Sequence, residues 1–512
     1  MGLRKINVSC FFYYFLVLAV IIQTGYYILK YPFFSFSDEH EMISYFLDGV
    51  FPWRYAPELG RVYFFSLIEY FPVVSSSVSI QFKLFLIYLI CAIKFFLLLS
   101  VSFLILKRFV GVFFAFVSVM IMYVILLKYG ITTTIISIVY PEFTLSIVFL
   151  AFFYLYFKAV DTQKKRYYLL SLLCYVFSLF CKEPAFVVGL CCSGLLLFIK
   201  PIGKREKYFL SACGILSVAY VVFYFFGIYP NIVHRYGANS ELFSDFIIAY
   251  CKINFMFILG IILLLARLSV FIIHKSKCHR YDVFLVAGVC YSVSFIFLKM
   301  HSGYYFIPSV IFISIGMSTY CYSVMRKKRC LSLIKRVELP LSCLICTMVL
   351  FTQYYYMNNI SEQYTLKKIT MPSLAFVKEC KAKGIVVENA YPAGENETNI
   401  DPYDAWTYLT VKLFFRFYEN WISQVRAEDS RSVAGKYLYI FLPNHKNKEP
   451  ELPELEQYEN LDLVFFAALV KKTDIPLVKD AYCRFAADVT RAGIRPHDRD
   501  GVLSSAKKAG CF

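Results

Sequence analysis

Apolar residues recur along most of this chain in runs of about 20, the length a helix needs to cross the hydrocarbon core of a bilayer. The first run spans Phe11 to Leu29, and others lie near residues 84–106, 109–128, 143–158, 167–181, 185–199, 208–229, 249–273, 283–298, 304–325 and 338–356. A sliding hydropathy window therefore predicts about eleven transmembrane helices, with boundaries loose by several residues. No small-residue cleavage site follows the first run, so it reads as a retained anchor rather than a signal peptide.

The connection after that run, residues 31–82, is long and unusually aromatic. Two amphipathic stretches in it, 39–48 and 62–72, are expected to lie flat at the interface with their apolar faces in lipid. Past residue 356 the pattern changes. A helical periodicity over 403–425, a strand-like "KYLYIFLP" at 436–443 and one apolar run at 461–470 predict a small α+β module, with a polar, proline-containing loop between the last two. The expected division is a membrane domain over 1–356 and a soluble tail over 357–512.

Lys and Arg are retained on the cytoplasmic side of a membrane, so their distribution orients the spans. Alternate connections carry nearly all of them: Arg4 and Lys5, Lys107 and Arg108, "KKR" at 164–166, "KPIGKREK" at 200–207, "HKSKCHR" at 274–280 and "RKKRCLSLIKR" at 326–336. That phase never breaks, which predicts a cytoplasmic N-terminus and an exported C-terminus. The 512 residues carry a net charge of +18, but from residue 357 onward 21 basic residues balance 21 acidic ones. The surplus thus belongs to the membrane part and faces anionic headgroups. Nucleic-acid binding is excluded as a function class, because a real footprint clusters on one soluble face.

Most of the 17 cysteines fall inside spans or cytoplasmic loops, where Cys behaves as a small apolar residue. Only Cys380, Cys483 and Cys511 lie in the tail, and a Cys380–Cys483 bridge is the expected pairing. No CxxC or HxxxH zinc spacing appears.

With the spans oriented, the remaining charges sort to the outer side: Asp38, Glu39, Arg54, Arg61 and Glu69 in the first loop, then Glu142, Lys182 with Glu183, His234 with Arg235, and "KMHSGYYFIP" at 299–308. Each ionisable group at membrane depth costs a few kcal/mol, which makes Glu142, Lys182, Glu183 and Lys94 functional candidates. For Lys94 and Lys83 a second reading stands level: a lysine also snorkels, or pairs with a carboxylate for folding alone. Together these residue types describe one chemistry. A carboxylate within hydrogen-bond reach removes a proton from an acceptor hydroxyl. Basic groups hold a phosphate leaving group as its charge develops.

The ordered motifs "DEHEM" (38–42), "GRVYF" (60–64), "YPE" (140–142), "CKEPAF" (181–186) and "HSGYYFIP" (301–308) resemble the GT-C superfamily of integral-membrane glycosyltransferases, which use polyprenyl-phosphate sugars. The specificity of the resemblance lies in the order and common side of short motifs, and it covers residues 1–356 only. It implies Asp38 as catalytic base, with Glu39 next, and Arg61, Lys182, His301 and Tyr304 around the donor phosphate. Glu142 would order the acceptor or a cation, with Glu183, Arg54 and Lys94 in accessory places. Gly303 stands where many relatives carry Arg before the Tyr, so that phosphate role passes to His301 or Lys299. No resident metal is implied, although paired carboxylates leave a divalent cation open. The implied partners are a polyprenyl-phosphate sugar donor, a cell-surface glycan acceptor such as lipopolysaccharide O-antigen, and the lipid of a bacterial inner membrane, with the site facing the periplasm.

Two other function classes fit a charged membrane chain. A transporter or lipid flippase tends to show inverted repeats and helices broken at midplane, and neither is evident in the sequence. A glycan polymerase or ligase would carry its large outer loop centrally rather than first.

Overall fold

The computed structural model describes residues 8–30, 51, 54–56, 61–78, 80–129, 141–197, 199, 202–231, 243–273, 278–300, 302–326, 330–361, 371–389, 437–441, 455–464, 467–491 and 496–511. The stretches predicted at 39–48 and 403–425 lie outside these residues. Contacts divide the chain into two compact units, one of Met1–Leu29 with Phe51–Tyr355 and one that includes Tyr356–Phe512.

Among the described residues the first unit is helical apart from one short antiparallel strand pair. It begins with α1 (Val8–Lys30), the antiparallel pair β1 (Arg54–Ala56) and β2 (Arg61–Tyr63), and the single turn α2 (Phe71–Val74). Then follow α3 (Ile80–Val110), α4 (Val112–Lys128), α5 (Pro141–Thr162), α6 (Lys165–Leu179), α7 (Ala185–Leu197) and α8 (Lys204–Phe223). The unit continues through α9 (Phe243–Ile253), α10 (Phe255–Ile273), α11 (Asp282–Phe297), α12 (Ile307–Arg326) and α13 (Cys330–Ser361). Each of the apolar runs before residue 357 falls largely on these helices. Among the described residues five helical stretches are long and apolar enough to cross a bilayer: Phe85–Val110, Pro141–Thr162, Lys204–Asn231, Phe255–Ile273 and Gly303–Arg326. The chain is a helical membrane protein.

At the centre of the unit, α12 packs against α3, α4, α5, α10 and α11. All residues from Ile307 to Gly316 are buried, as expected of a helix apolar on every side. Small residues let its neighbours come close. A Cβ on Gly288 of α11 would lie 2.8 Å from Ile313 Cγ1 and 3.1 Å from Ile313 N. Around this contact Phe153 packs with its ring centroid 4.6 Å from Phe284 and 5.5 Å from Phe312, each such pair contributing about 0.5–1.5 kcal/mol beyond area burial. Of the five long stretches, Gly303–Arg326 is the least apolar and the most enclosed, whereas Phe255–Ile273 is the most apolar and the most exposed.

Three differences from the sequence reading have physical causes. The run at 249–273 is two helices, because Asn254 stops α9 and caps α10: its Oδ1 accepts the Phe257 N–H at 3.3 Å, an N-cap bond. The Tyr129 hydroxyl satisfies a second free donor, Met256 N, at 2.9 Å and itself donates to Asn254 Oδ1 at 3.2 Å. The stretch 62–72 is not one helix lying in the interface. It runs through β2, a 3-10 turn (Ile68–Tyr70) and the start of α2, and it buries Ser66, Leu67 and Tyr70 against protein. In the tail, the run at 461–470 is a strand pair rather than one element, broken where Val464 takes a φ of 76°.

At the helix ends that adjoin basic loops, ion pairs join neighbouring elements. Arg108 at the end of α3 pairs with Asp161 at the end of α5. Arg267 of α10 meets Asp282 of α11 through two bonds of 3.0 Å. Arg280 holds both oxygens of Glu206 at 3.1 Å, and Tyr156 donates to the same carboxylate at 2.6 Å.

The second unit contains α14 (Met371–Ala382), β3 (Val386–Asn389), β4 (Tyr437–Phe441), β5 (Tyr458–Asp462), β6 (Ala467–Lys471), α15 (Ile475–Arg491) and α16 (Pro496–Lys508). Its sheet runs β3-β4-β6-β5, with β3 and β4 parallel and the other pairs antiparallel. Helix α15 is strongly amphipathic and buries Val478, Tyr482, Phe485 and Val489, with Phe376 of α14 packed edge-on to Tyr482. The disulfide joins Cys483 to Cys511, not Cys380 to Cys483. Cys380 is fully buried and free, whereas the end of α16 brings Cys511 to a Cα separation of 5.4 Å from Cys483, within the range a disulfide spans.

Candidate functional site

Helix α5 opens with Pro141 and Glu142, a good helix start with its acid in the first turn, where the helix dipole favours negative charge. The Glu142 side chain is only 1% exposed, and Lys182 Nζ stands 3.0 Å from its Oε1. The approach is that of an ion pair rather than a hydrogen bond. Neither Glu142 oxygen has a hydrogen-bond partner among the described residues. Lys182 belongs to the tight connection between α6 and α7, closed by bonds from Cys181 N to Ser178 O and from Ala185 N to Lys182 O, each 3.1 Å. Its ammonium lies 5.0 Å from the ring centroid of Tyr305, a cation–π distance.

Tyr305 and Tyr304 come from the 3-10 turn Gly303–Phe306 that leads into α12, and Tyr305 stacks on Phe295 of α11 at 5.2 Å. A Cβ on Gly303 would lie 3.1 Å from Tyr129 O, so any side chain there would crowd that backbone. The turn before it is strained: Lys299 ends α11 at a φ of 52°, the left-handed conformation that usually calls for Gly. Met300 N bonds to Phe295 O at 3.0 Å and Lys299 N to Ile296 O at 3.2 Å, closing a Schellman-type end. The buried Tyr291 hydroxyl on α11 also lacks a hydrogen-bond partner among the described residues, and the carboxylates of Glu142 and Glu183 act on it electrostatically. Buried polar groups are rarely left unsatisfied, so Glu142 and Tyr291 mark a place where the protein offers hydrogen-bonding capacity rather than consuming it.

A second ion pair lies beside the first. Lys94, near the middle of the 31-residue α3, places Nζ 2.8 Å from Glu69 Oε1 and 3.3 Å from the Tyr70 hydroxyl. Thr144, one turn into α5, donates to the same Glu69 oxygen at 2.6 Å. Burial pushes the Glu69 carboxyl up, but the charge and hydrogen bond of Lys94, with the Thr144 hydroxyl, hold it below the usual carboxylate range. Lys83 donates to Val74 O at 3.1 Å. Lys83, at the start of α3, and Lys94, in mid-helix, thus both have partners in the segment before α3.

The structure therefore gathers Glu142, Lys182, Glu183 and Tyr304 from three separate connections, and sets Lys94 against Glu69. Asp38, Glu39 and His301 lie outside the described residues, as do the side chains of Arg54 and Arg61, whose backbones belong to β1 and β2. Thr144 and Tyr291 belong to no motif of the sequence, Tyr305 stands beside Tyr304 in "HSGYYFIP", and Glu69 reads from sequence as an outer charge alone. A lone carboxylate in an aromatic loop, facing a lysine in mid-span, was the available signal for Glu69. Tyr291 sits in an apolar run with nothing local to distinguish it. A buried carboxylate with open oxygens, a cation resting on an aromatic face and a free phenol can together hold an anion and the hydroxyls beside it. No family model matches the chain, and neither does any curated protein.

Proposed function

We propose that this chain is a GT-C-type membrane glycosyltransferase that moves a sugar from a polyprenyl-phosphate donor to a cell-surface glycan, such as the O-antigen of lipopolysaccharide, on the outer face of a bacterial inner membrane. The observation that carries this reading is the buried Glu142–Lys182 pair, whose carboxylate oxygens have no hydrogen-bond partner among the described residues. In this reading the chain spans the membrane eleven times, with the N-terminus inside and the tail exported. The Cys483–Cys511 disulfide supports an oxidising compartment for the tail.

The reaction is a displacement at the anomeric carbon. Asp38, or Glu39 beside it, takes the proton of the acceptor hydroxyl. The acceptor oxygen bonds to the anomeric carbon as the bond from that carbon to the phosphate oxygen breaks, and the polyprenyl phosphate leaves with the electron pair. Lys182, with Arg61 and His301, stabilises the phosphate charge. Glu142 and Tyr291 accept and donate hydrogen bonds to sugar hydroxyls.

Purified protein incubated with polyprenyl-phosphate hexoses and a lipopolysaccharide acceptor tests the proposal. Wild type should transfer sugar, and Asp38→Asn with Glu39→Gln should slow transfer by about 10²-fold or more. Full-rate transfer by the folded double variant removes the base assignment. Absence of transfer by wild type from every such donor removes the reading.

A further inference from the structure

Residues 64–78 run across α3, α5 and the α6–α7 connection and are held from both sides. On the α3 side, Lys83 grips Val74 O and Lys94 grips Glu69. On the other side, Phe65 N bonds to Phe180 O at 3.2 Å, the Phe65 ring stacks on Phe177 with centroids 4.7 Å apart, and Cys181 Sγ approaches Phe65 O at 3.9 Å. Phe180 and Cys181 immediately precede Lys182. Thr144 follows Glu142 by two residues in the first turn of α5. One carboxylate, Glu69, is thus the common acceptor for α3 and for the turn that carries Glu142, in a segment whose backbone bonds to the turn that carries Lys182.

Within the segment Leu67 holds a φ of 65°, a left-handed conformation that is unfavourable for a residue with a Cβ and persists only when its surroundings fix it. The side chain of Leu67 is buried, and so is Tyr70, whose hydroxyl meets Cys91 Sγ at 3.2 Å. The strained backbone is held in place by two lysines and by two packed aromatic residues, Phe65 and Tyr70.

We propose that residues 64–78 form a strap latched by Glu69 to Lys94 and Thr144, and that Glu69 and Lys94 are positioning residues that set Lys182 against Glu142 through this strap. The strap stands on the contacts above. Only its kinetic consequence rests on the glycosyltransferase reading. When the latch opens, Phe65 leaves Cys181, a thiol that is 0% exposed while the strap is down.

The rate at which N-ethylmaleimide labels Cys181 reads the latch without reference to activity. Labelling is followed by peptide mass spectrometry on the full chain in lipid nanodiscs, with Cys192 and Cys213, both fully buried inside α7 and α8, as internal references. Lys94→Met and Glu69→Gln should each speed Cys181 labelling by about tenfold or more while the references stay unlabelled. The charge-exchanged pair, Lys94→Glu with Glu69→Lys, should return labelling toward the wild-type rate, which general unfolding would not do. Unchanged Cys181 labelling in both single variants overturns the strap. Equal acceleration at the reference cysteines overturns it too, because the substitutions would then loosen the whole unit. In the transfer assay, Lys94→Met should lower kcat and kcat/KM together with KM nearly unchanged, as expected when the group that stabilises the developing phosphate charge is displaced. If the wild type shows no transfer but the latch variants still expose Cys181, the glycosyltransferase reading fails and the strap stands.

Discussion

Lys182→Met isolates the energetics of the candidate site. The Lys182 side chain is 12% exposed and that of Glu142 1%, at a separation of 3.0 Å. With an effective dielectric of about 20, Coulomb's law gives an attraction of about 5–6 kcal/mol at that distance. Desolvation takes back several kcal/mol for each ion, so the intact pair contributes little net stability. Removing one partner is another matter, since it strands the other charge. Lys182→Met should therefore destabilise the protein by about 3–5 kcal/mol, whereas the double variant Lys182→Met with Glu142→Leu should match wild type or exceed it by about 1–4 kcal/mol. Equilibrium unfolding in mixed micelles, followed by far-ultraviolet circular dichroism, measures all three proteins. Donor turnover should be lost in the single and double variants alike, separating stability from function. A wild-type midpoint for Lys182→Met, or a double variant no more stable than the single one, would refute a buried pair of this kind.

The Glu69 carboxyl is held below its ordinary value of about 4.5, so it stabilises the fold above that pH and the contribution is lost as pH falls through the lowered value. Wild-type stability should thus drop below about pH 4.5, and Glu69→Gln should flatten this acid limb in an unfolding series from pH 7 to pH 3.5; an unaltered limb would assign it to other carboxylates. Peptide mapping without reduction should recover Cys483 linked to Cys511 with Cys380 free, and replacing both linked cysteines with Ser should cost the tail about 3–4 kcal/mol, given a sequence separation of 28 residues. Gly288→Val forces side-chain atoms into Ile313, whose Cγ1 and N already leave no room for a Cβ, and should lower stability by about 1–3 kcal/mol in the same unfolding assay.

Helix positions were legible because twenty-residue apolar runs report solvent and lipid preference directly, and those runs lie largely on helices in the structure. What hydropathy cannot register is a single side chain that redirects the backbone. Asn254 lies within an apolar run and averages away in any window, yet its side chain caps α10 and ends α9. The strap misled for a related reason: its alternation of apolar and polar residues suits a lipid interface, but the apolar face is buried in protein because Lys83 and Lys94 draw it onto α3. Glu142 and Lys182 stood out on their cost alone. Their pairing depends on a turn between α6 and α7 meeting the start of α5, information carried by tertiary packing and by no local motif. The disulfide pairing is not legible because three cysteines give no geometry until α16 returns Cys511 to α15.

The inverse relation between apolarity and enclosure among the long helices bears on how the chain enters a bilayer. A segment such as Phe255–Ile273 is greasy enough to partition into lipid alone, but Gly303–Arg326, with its serines and glycines facing other helices, gains much less from hydrocarbon itself. Its residence in the bilayer depends on the helices synthesised before it. Assembly is then ordered in time: α3, α4, α5, α10 and α11 must already stand in the membrane as the surface against which α12 is retained, and α12 in turn delivers Tyr304 and Tyr305 to the site last.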